Sequence, residues 1–150
     1  MNQQSWHFTI IQNEELLNRI MDTCKALIMQ SNNSAMKDRV SDIGARGVNL
    51  FYNAPTLIIV SGKENCLTPQ IDCSLALGNM FLAAQSLGLG SCWIHAIAHL
   101  YSSSQGKEFL HAQAGIPEGY AVIGAGAFGY AAIEAPKAPP RHEDIITYMR

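Results

Sequence analysis

The sequence predicts one α+β or mixed α/β domain that spans residues 1–150. The chain has 150 residues, of which 48% are apolar and 15% are charged. This length supports one domain with a hydrophobic core, and this composition excludes intrinsic disorder. Segments with strand composition alternate with segments of helical periodicity along the whole chain, and no internal repeat interrupts them. One domain with both element types is therefore expected.

The first half of the chain predicts two strands and one helix, with one ambiguous segment between them. Trp6–Ile11 is rich in aromatic and β-branched residues, which favours a strand. Asn13 can cap the amphipathic helix that follows. Residues 35–53 have no clear period. After the turn signal at 53–55, the apolar run at 57–60 is typical of a buried central strand.

A long apolar helix is predicted next, starting at Pro69, a residue favoured in the first turn of a helix. Between residues 71 and 87 the apolar side chains fall on more than one face. Such a helix is buried on both sides, either between layers or in a subunit interface. Residues 73–94 carry no charge, but Gly88 and Gly90 interrupt them, so a buried helix is favoured over a membrane span.

The last third of the chain predicts short elements and a final arm. The expected elements are strands at 92–94, 120–128 and 145–148 and a helix at 107–113. Pro136, Pro139 and Pro140 predict that the arm, at about 131–150, is extended. The strand at 145–148 has no local partner, so it could pair with another subunit.

The charge and the cysteine content indicate which binding partners and which cellular compartment to expect. The formal net charge is −2 and no basic cluster occurs, which argues against nucleic-acid binding. The low charged fraction favours an apolar interface with another subunit. The four cysteines form no CxxC pair and the sequence shows no secretory leader, so we expect a cytoplasmic protein with reduced, mostly buried thiols.

Three patterns suggest chemistry, and each has a structural interpretation that we favour. Residues 124–129 match G-x-G-x-x-G, but the prolines after them prevent the helix that a dinucleotide site needs. His95 and His99 are four residues apart without a further ligand in register, so they are not expected to bind a metal. Cys73 and Cys92 lie in apolar sequence and are expected to be unreactive. These residues alone predict an oligomer with an unidentified ligand.

Several segments together resemble the flavin-dependent nitroreductase family. Asn2, Gln4 and Trp6 stand in the order of the family's N-x-Q-x-W segment. Further segments resemble the family's strand after an A-P turn, its long central helix, the loop after that helix, its last core strand and its arm. These segments are residues 53–60, 72–80, 87–94, 126–130 and 139–141. They follow the family order over almost the whole chain.

This resemblance implies a fold, a cofactor and a set of binding residues. Family members are homodimers with a central, mostly antiparallel sheet flanked by helices and a C-terminal strand exchanged between subunits. They bind FMN at the subunit interface and transfer electrons from NADH or NADPH to nitro compounds, quinones or similar small aromatic acceptors. The FMN chemistry needs no catalytic side chain. The implied FMN-binding residues are Ile94, His95 and Ala96 through backbone N–H groups, Asn2 of the partner subunit with Gln4 beside it, and Arg141 at the phosphate.

The sequence differs from the family at its start. Members carry an R-R-S-x-R segment, which binds the FMN phosphate and ribityl chain, well before N-x-Q-x-W. Here Met1 directly precedes Asn2, so an N-terminally shortened domain is expected, with Arg141 as the main cationic ligand of the phosphate. Two functions stay open at this point. One is an FMN-dependent oxidoreductase, and the other is a cofactor-poor dimer that binds a small planar ligand without turnover.

Overall fold

The computed structural model describes residues 2–134 and 137–149, and these ranges contain four strands and five helices. The strands are β1 (Trp6–Ile11), β2 (Thr56–Lys63), β3 (Leu89–Trp93) and β4 (Tyr120–Tyr130). The helices are α1 (Glu14–Gln30), α2 (Ser34–Ala45), α3 (Pro69–Ser86), α4 (His95–Tyr101) and α5 (Ser104–Ala114). Pro136, which was predicted to stiffen the arm, lies outside the described residues.

The strands form one antiparallel sheet in the order β1-β2-β4-β3. The apolar run of β2 lies in the interior of the sheet, where Ile59 pairs with Thr9 on one side and Ala125 on the other. This confirms the prediction of a buried central strand at 57–60 and of an α+β fold. The register between β2 and β4 shifts between Val60 and Ser61.

Helices cover both faces of this sheet. Helix α3 lies on one face and contacts all four strands, and its own Cys73 and Leu77 are fully buried together with Val60 of β2. Helices α1, α4 and α5 lie on the other face, over a larger core. Fully buried members of that core are Ile20, Ile28, Ile97, Leu100 and Leu110. Among the described helices, none is both long and apolar enough to cross a bilayer.

Two predicted helix starts are confirmed. The Asn13 side chain accepts a 2.8 Å hydrogen bond from the Leu16 N–H, which satisfies one of the free donors of the first turn of α1. Pro69 lies in the first turn of α3, where a missing N–H costs nothing.

The sequence did not predict helices α2 and α4. Along α2 only Ile43 is buried, so the segment lacks the repeated apolar face that marks a helix in a sequence. Helix α4 has seven residues, too few to show a period, and four of them are buried. The strand predicted at 92–94 begins earlier, at Leu89, because Gly88 turns the chain out of α3 with a φ of +74°.

Two predictions depend on a second subunit, and a single chain does not test them. Helix α3 buries only one face, and Ile71, Leu75 and Leu82 on the other face are 59%, 65% and 72% exposed. Residues 145–148 were predicted to pair only with another subunit, and in the described part of one chain they have no strand partner and form no strand. Ile145 and Ile146 are exposed as a result.

The glycine-rich segment at 124–129 is the middle of β4, which confirms its structural interpretation. A Cβ at Gly124 would collide with the Trp93 ring. A Cβ at Gly126 would lie 2.8 Å from the Phe81 ring of α3 and 2.7 Å from the Phe128 ring. These glycines therefore let aromatic rings lie directly against the β4 backbone.

Candidate functional site

The loop that leaves β3 is fixed against the sheet by its own backbone. Trp93, the last residue of β3, pairs with Gly126, and the next N–H, that of Ile94, donates a 2.8 Å hydrogen bond to the Ala125 carbonyl. The Ile94 side chain is also buried. The prediction that Ile94 offers a free backbone donor is therefore corrected, because this N–H is already bonded within the fold.

The backbone N–H groups of His95 and Ala96, unlike that of Ile94, are available as donors. They are the first two residues of α4, and the first N–H groups of a helix have no acceptor within it. Ile94, as N-cap, supplies no side-chain acceptor for them. The His95 side chain is exposed and the Ala96 side chain is buried, so both backbone donors stand beside one accessible imidazole.

A cavity of about 240 Å³, here called the α2 cavity, lies between this loop and α2. Its floor is apolar and includes the buried Ile28, Ile43 and Leu50. Its walls include Arg39, Tyr52, Trp93 and the 94–96 backbone segment. The cavity thus brings the predicted loop together with residues of the segment 35–53 that sequence reasoning left ambiguous.

Arg39 and Tyr52 are the residues that the sequence analysis missed. Arg39 Nη2 donates a 3.4 Å hydrogen bond to the Tyr52 hydroxyl. Tyr52 has a φ of +56°, in the left-handed region that non-glycine residues rarely adopt. The Asn49 carboxamide holds this bend, since its Oδ1 accepts 2.9 Å hydrogen bonds from the Phe51 and Asn53 N–H groups. Of these features, only the turn at 53–55 had a signal in the sequence.

The N-terminal candidates lie at a different place. Asn2 and Gln4 are exposed, and Gln4 has a φ of +44°. The next residue, Ser5, is buried and its carbonyl accepts a 2.9 Å hydrogen bond from the Lys63 N–H of β2. The segment is therefore anchored at Ser5, and its predicted binding residues project from the chain.

Arg141 lies in the arm that follows β4. Its side chain is exposed, and in residues 2–134 and 137–149 it forms no salt bridge. The α2 cavity includes neither Arg141 nor Asn2 nor Gln4. Within one chain, the structure therefore assembles the 94–96 loop into a cavity but does not add the other predicted ligands to it.

In the part of the chain that the structure describes, the histidine and cysteine candidates form neither a metal cluster nor a disulfide. His95 and His99 both lie on α4, and the described residues contain no group of three or more potential metal ligands. The four cysteines are free. Burial raises the pKa of Cys24 to about 12, and burial together with the Asp72 carboxylate raises the pKa of Cys73 to about 11. Cys92 was expected to be buried, but it is exposed on the edge strand β3.

A separate polar cluster ties α4 and α5 to β4. The Tyr101 hydroxyl donates a 3.1 Å hydrogen bond to the Tyr120 carbonyl and lies 3.2 Å from His111 Nε2. His111 Nδ1 in turn lies 2.8 Å from the Ile116 carbonyl. Burial and the nearby Glu64 carboxylate raise the pKa of Tyr101, so the neutral phenol persists well into the alkaline range.

Comparison with known proteins assigns the chain to one family. Residues 1–130 match the model of the Nitroreductase family. An Archaeoglobus fulgidus protein, provisionally named NADH dehydrogenase/NAD(P)H nitroreductase, is 27% identical over 139 residues. That match covers 86% of this chain, and the chain spans only 63% of the length of this curated relative.

Two solved structures share the fold over the whole chain. A nitroreductase with bound FMN from Bacteroides fragilis is 32% identical, with a TM-score of 0.84, and the match covers 100% of this chain and 79% of that one. A nitroreductase with bound FMN from Desulfitobacterium hafniense is 30% identical, also with a TM-score of 0.84, and the match covers 100% of this chain and 78% of that one.

Proposed function

The chain belongs to the nitroreductase family, and we propose that it is an FMN-dependent oxidoreductase that transfers electrons from NADH or NADPH to nitro compounds, quinones or similar acceptors. The observation that carries this proposal is the family match over residues 1–130. Two relatives of at least 30% identity that contain FMN support the choice of cofactor.

The loop after β3 fits the ring of such a cofactor. The N–H groups of His95 and Ala96 lack helical acceptors, so they can donate to the carbonyl and ring nitrogen atoms of a flavin. Backbone donors at these atoms stabilise the negative charge of the reduced ring. The Ile94 amide contributes by holding the loop on β4 through its bond to Ala125.

The remaining predicted ligands fit a site completed by a second copy of the chain. Asn2 and Gln4 are exposed and do not line the α2 cavity, so we assign their contacts with FMN to the partner subunit's site. Arg141 would bind the phosphate, since a guanidinium forms two parallel hydrogen bonds with such a group. Its exposed position in the arm leaves it available for this contact.

The uncovered face of α3 supports a homodimer. Ile71, Leu75, Gly78 and Leu82 repeat at intervals of four, three and four residues, so they form one stripe along the helix. The three large side chains are each more than half exposed, and the space around Gly78 is open. In a two-fold symmetric dimer the same surface of both subunits meets, so α3 of a second copy packed against this stripe would bury it.

The chain's own residues position the reactants and carry no covalent chemistry. When bound, FMN would accept a hydride from NADH or NADPH and pass the electrons to the acceptor. For a nitro acceptor, the hydride and one proton from solvent convert the nitro group into a nitroso group and water. The α2 cavity beside residues 94–96 is the place where the structure can hold an acceptor next to this loop. The four free thiols fit a reducing compartment, and we assign the protein to the cytoplasm.

Flavin retention followed by reduction tests this function. The protein is mixed with FMN and desalted, and its visible spectrum is recorded before and after anaerobic addition of NADH or NADPH. We expect the flavin band to coelute with protein, to bleach with the nicotinamide and to return with a nitroaromatic acceptor. A folded protein that elutes without flavin would contradict the proposal and favour the cofactor-poor dimer.

A further inference from the structure

The α2 cavity has the size of a site for one aromatic ring. Its volume of about 240 Å³ is below the range of about 300–1,000 Å³ that is common for pockets of larger ligands. Tyr52 and Trp93 line it and are 41% and 38% exposed, so both rings are accessible to a ligand. Buried aliphatic side chains close the floor. Flat apolar surfaces of this kind favour a planar aromatic compound.

The charged side chain that lines the cavity is positive. Arg39 is the only Asp, Glu, Lys or Arg side chain among the residues that line it. Its guanidinium reaches the wall, because Nη2 donates to the hydroxyl of Tyr52. A carboxylate at this position would find a planar donor group and no acidic side chain in the lining.

Arg39 is only weakly held by its acidic neighbour. Its Nη1 lies 3.8 Å from Asp42 Oδ2, whereas Arg46 Nη2 lies 2.7 Å from the same oxygen. Asp42 is therefore bonded to Arg46, and the Arg39 guanidinium keeps donors for an anion. The bent backbone at Tyr52 supports a binding role, since unusual φ values in a structure often occur where a side chain is positioned for a ligand.

Building on the reductase function proposed above, we propose that the α2 cavity binds a one-ring aromatic carboxylate, with Arg39 at the carboxylate and the ring between Tyr52 and Trp93. Residues 94–96 of the proposed flavin loop line the same cavity as Arg39, so a ligand held at Arg39 lies in the cavity that this loop borders. An acceptor with a carboxylate and a reducible group at opposite ends, such as 4-nitrobenzoate, fits this arrangement. Arg39 thereby becomes a specificity-determining residue.

The two tryptophans of the chain, Trp6 and Trp93, allow a direct binding test. In ¹⁵N-labelled protein each gives one indole N–H signal, and Trp93→Phe assigns them. The oxidised protein, with and without FMN, is titrated with 4-nitrobenzoate and with its neutral methyl ester, without NADH or NADPH. We expect 4-nitrobenzoate to shift the Trp93 signal and to leave the Trp6 signal, which comes from β1, in place.

Charge variants then test the role of Arg39. We expect Arg39→Gln to raise the dissociation constant of 4-nitrobenzoate about five- to tenfold and that of the ester less than twofold. Arg19→Gln is the matched control, because it removes the same charge from α1, outside the cavity. Three results would overturn the proposal. They are an equal rise in the dissociation constants of both ligands in Arg39→Gln, an equal rise for 4-nitrobenzoate in Arg39→Gln and Arg19→Gln, and a Trp93 signal that does not shift. Because binding is measured without turnover, protein that fails to retain FMN refutes the reductase function separately.

Discussion

The hydroxyl of Ser5 donates a 3.1 Å hydrogen bond to Oδ2 of Asp72, which joins the residue before β1 to the first turn of α3. Ser5 is 2% exposed, although its neighbours Asn2 and Gln4 are exposed. The bond therefore fixes the point from which the N-terminal binding residues project. Asp72 itself lies in the first turn of α3, where a negative charge is favourable.

Replacing Ser5 tests this anchor. We expect Ser5→Ala to lower the free energy of unfolding by about 1–2 kcal/mol, because the lost bond has a charged acceptor and a buried donor. Ser86→Ala is the control, since it removes an exposed bond to the Ala83 carbonyl and should change stability by less than about 0.5 kcal/mol. Urea unfolding of both variants measures the difference, and equal values would show that Asp72 does not anchor Ser5.

Arg141 offers a test of phosphate binding. We expect Arg141→Gln to raise the dissociation constant for FMN roughly ten- to hundredfold, because a charge-assisted contact contributes about 1.5–3 kcal/mol. Lys137→Gln removes the same charge from the same exposed arm and should have a much smaller effect. Fluorescence titration with FMN gives both constants. If the two variants bind FMN equally well, Arg141 is not the phosphate ligand.

The stripe on α3 offers a test of the dimer. We expect Leu75→Glu to convert the dimer into a monomer, because it would place a carboxylate in an apolar interface opposite its own symmetry copy. Met29→Glu is the control, since Met29 is 51% exposed on α1, on the opposite face of the sheet. Sedimentation velocity measures the mass of each variant. A Leu75→Glu protein that remains dimeric would place the interface elsewhere.

The close contact at Gly126 predicts a loss of stability. We expect Gly126→Ala to lower the free energy of unfolding by about 1–3 kcal/mol, because the new Cβ would meet the rings of Phe81 and Phe128. Gly44→Ala in α2 meets no atom within 4 Å and should stabilise by up to about 1 kcal/mol. Thermal unfolding compares the two. A neutral Gly126→Ala would mean that the rings can move aside.

The buried thiol of Cys24 predicts a loss of stability in alkali. Burial raises the pKa of Cys24 from its ordinary value of 9.0 to about 12 in the folded state. The folded state therefore binds the proton more tightly, so the stabilisation is complete below about pH 9 and is lost as the pH rises towards the folded pKa. Between about pH 8 and about pH 10, we expect Cys24 to account for about 1–2 kcal/mol of the loss.

Urea unfolding at the two pH values checks this expectation. The Cys24→Ala variant should lose about 1–2 kcal/mol less than the original protein over the same interval, whatever its stability at the lower pH. The comparison of slopes cancels the titration of other groups, which both proteins share. Parallel slopes would show that the Cys24 thiolate forms as readily in the folded as in the unfolded chain.

The elements with a strong local signal could be predicted from the sequence. A few neighbouring residues were enough to predict three of them. These were the aromatic and β-branched run of β1, the Asn13 cap of α1 and Pro69 in the first turn of α3. The loop at 94–96 could be located only through its resemblance to a family. The sequence could not predict which of its N–H groups are available as donors, because the bond from Ile94 to Ala125 depends on how β3 aligns with β4.

Residues that act through distant contacts escaped prediction. Arg39 and Tyr52 are 13 positions apart, and their hydrogen bond depends on the path of the irregular segment that follows α2. The exposure of Cys92 follows from the position of β3 at the edge of the sheet, and strand order cannot be read from a short apolar run. In each case the decisive information is tertiary.

The position of β4 between β2 and β3 also sets the order in which the protein can fold. Both neighbours precede β4 in the chain, and the pairing of Ile59 with Ala125 closes a long loop. Long-range pairing of this kind slows folding. During synthesis β2 and β3 leave the ribosome before the strand that joins them, so the β2 segment has only β1 to pair with until β4 has also emerged. The interval in which β2 and β3 have emerged and β4 has not is therefore the one in which unpaired strand edges expose the nascent chain to aggregation.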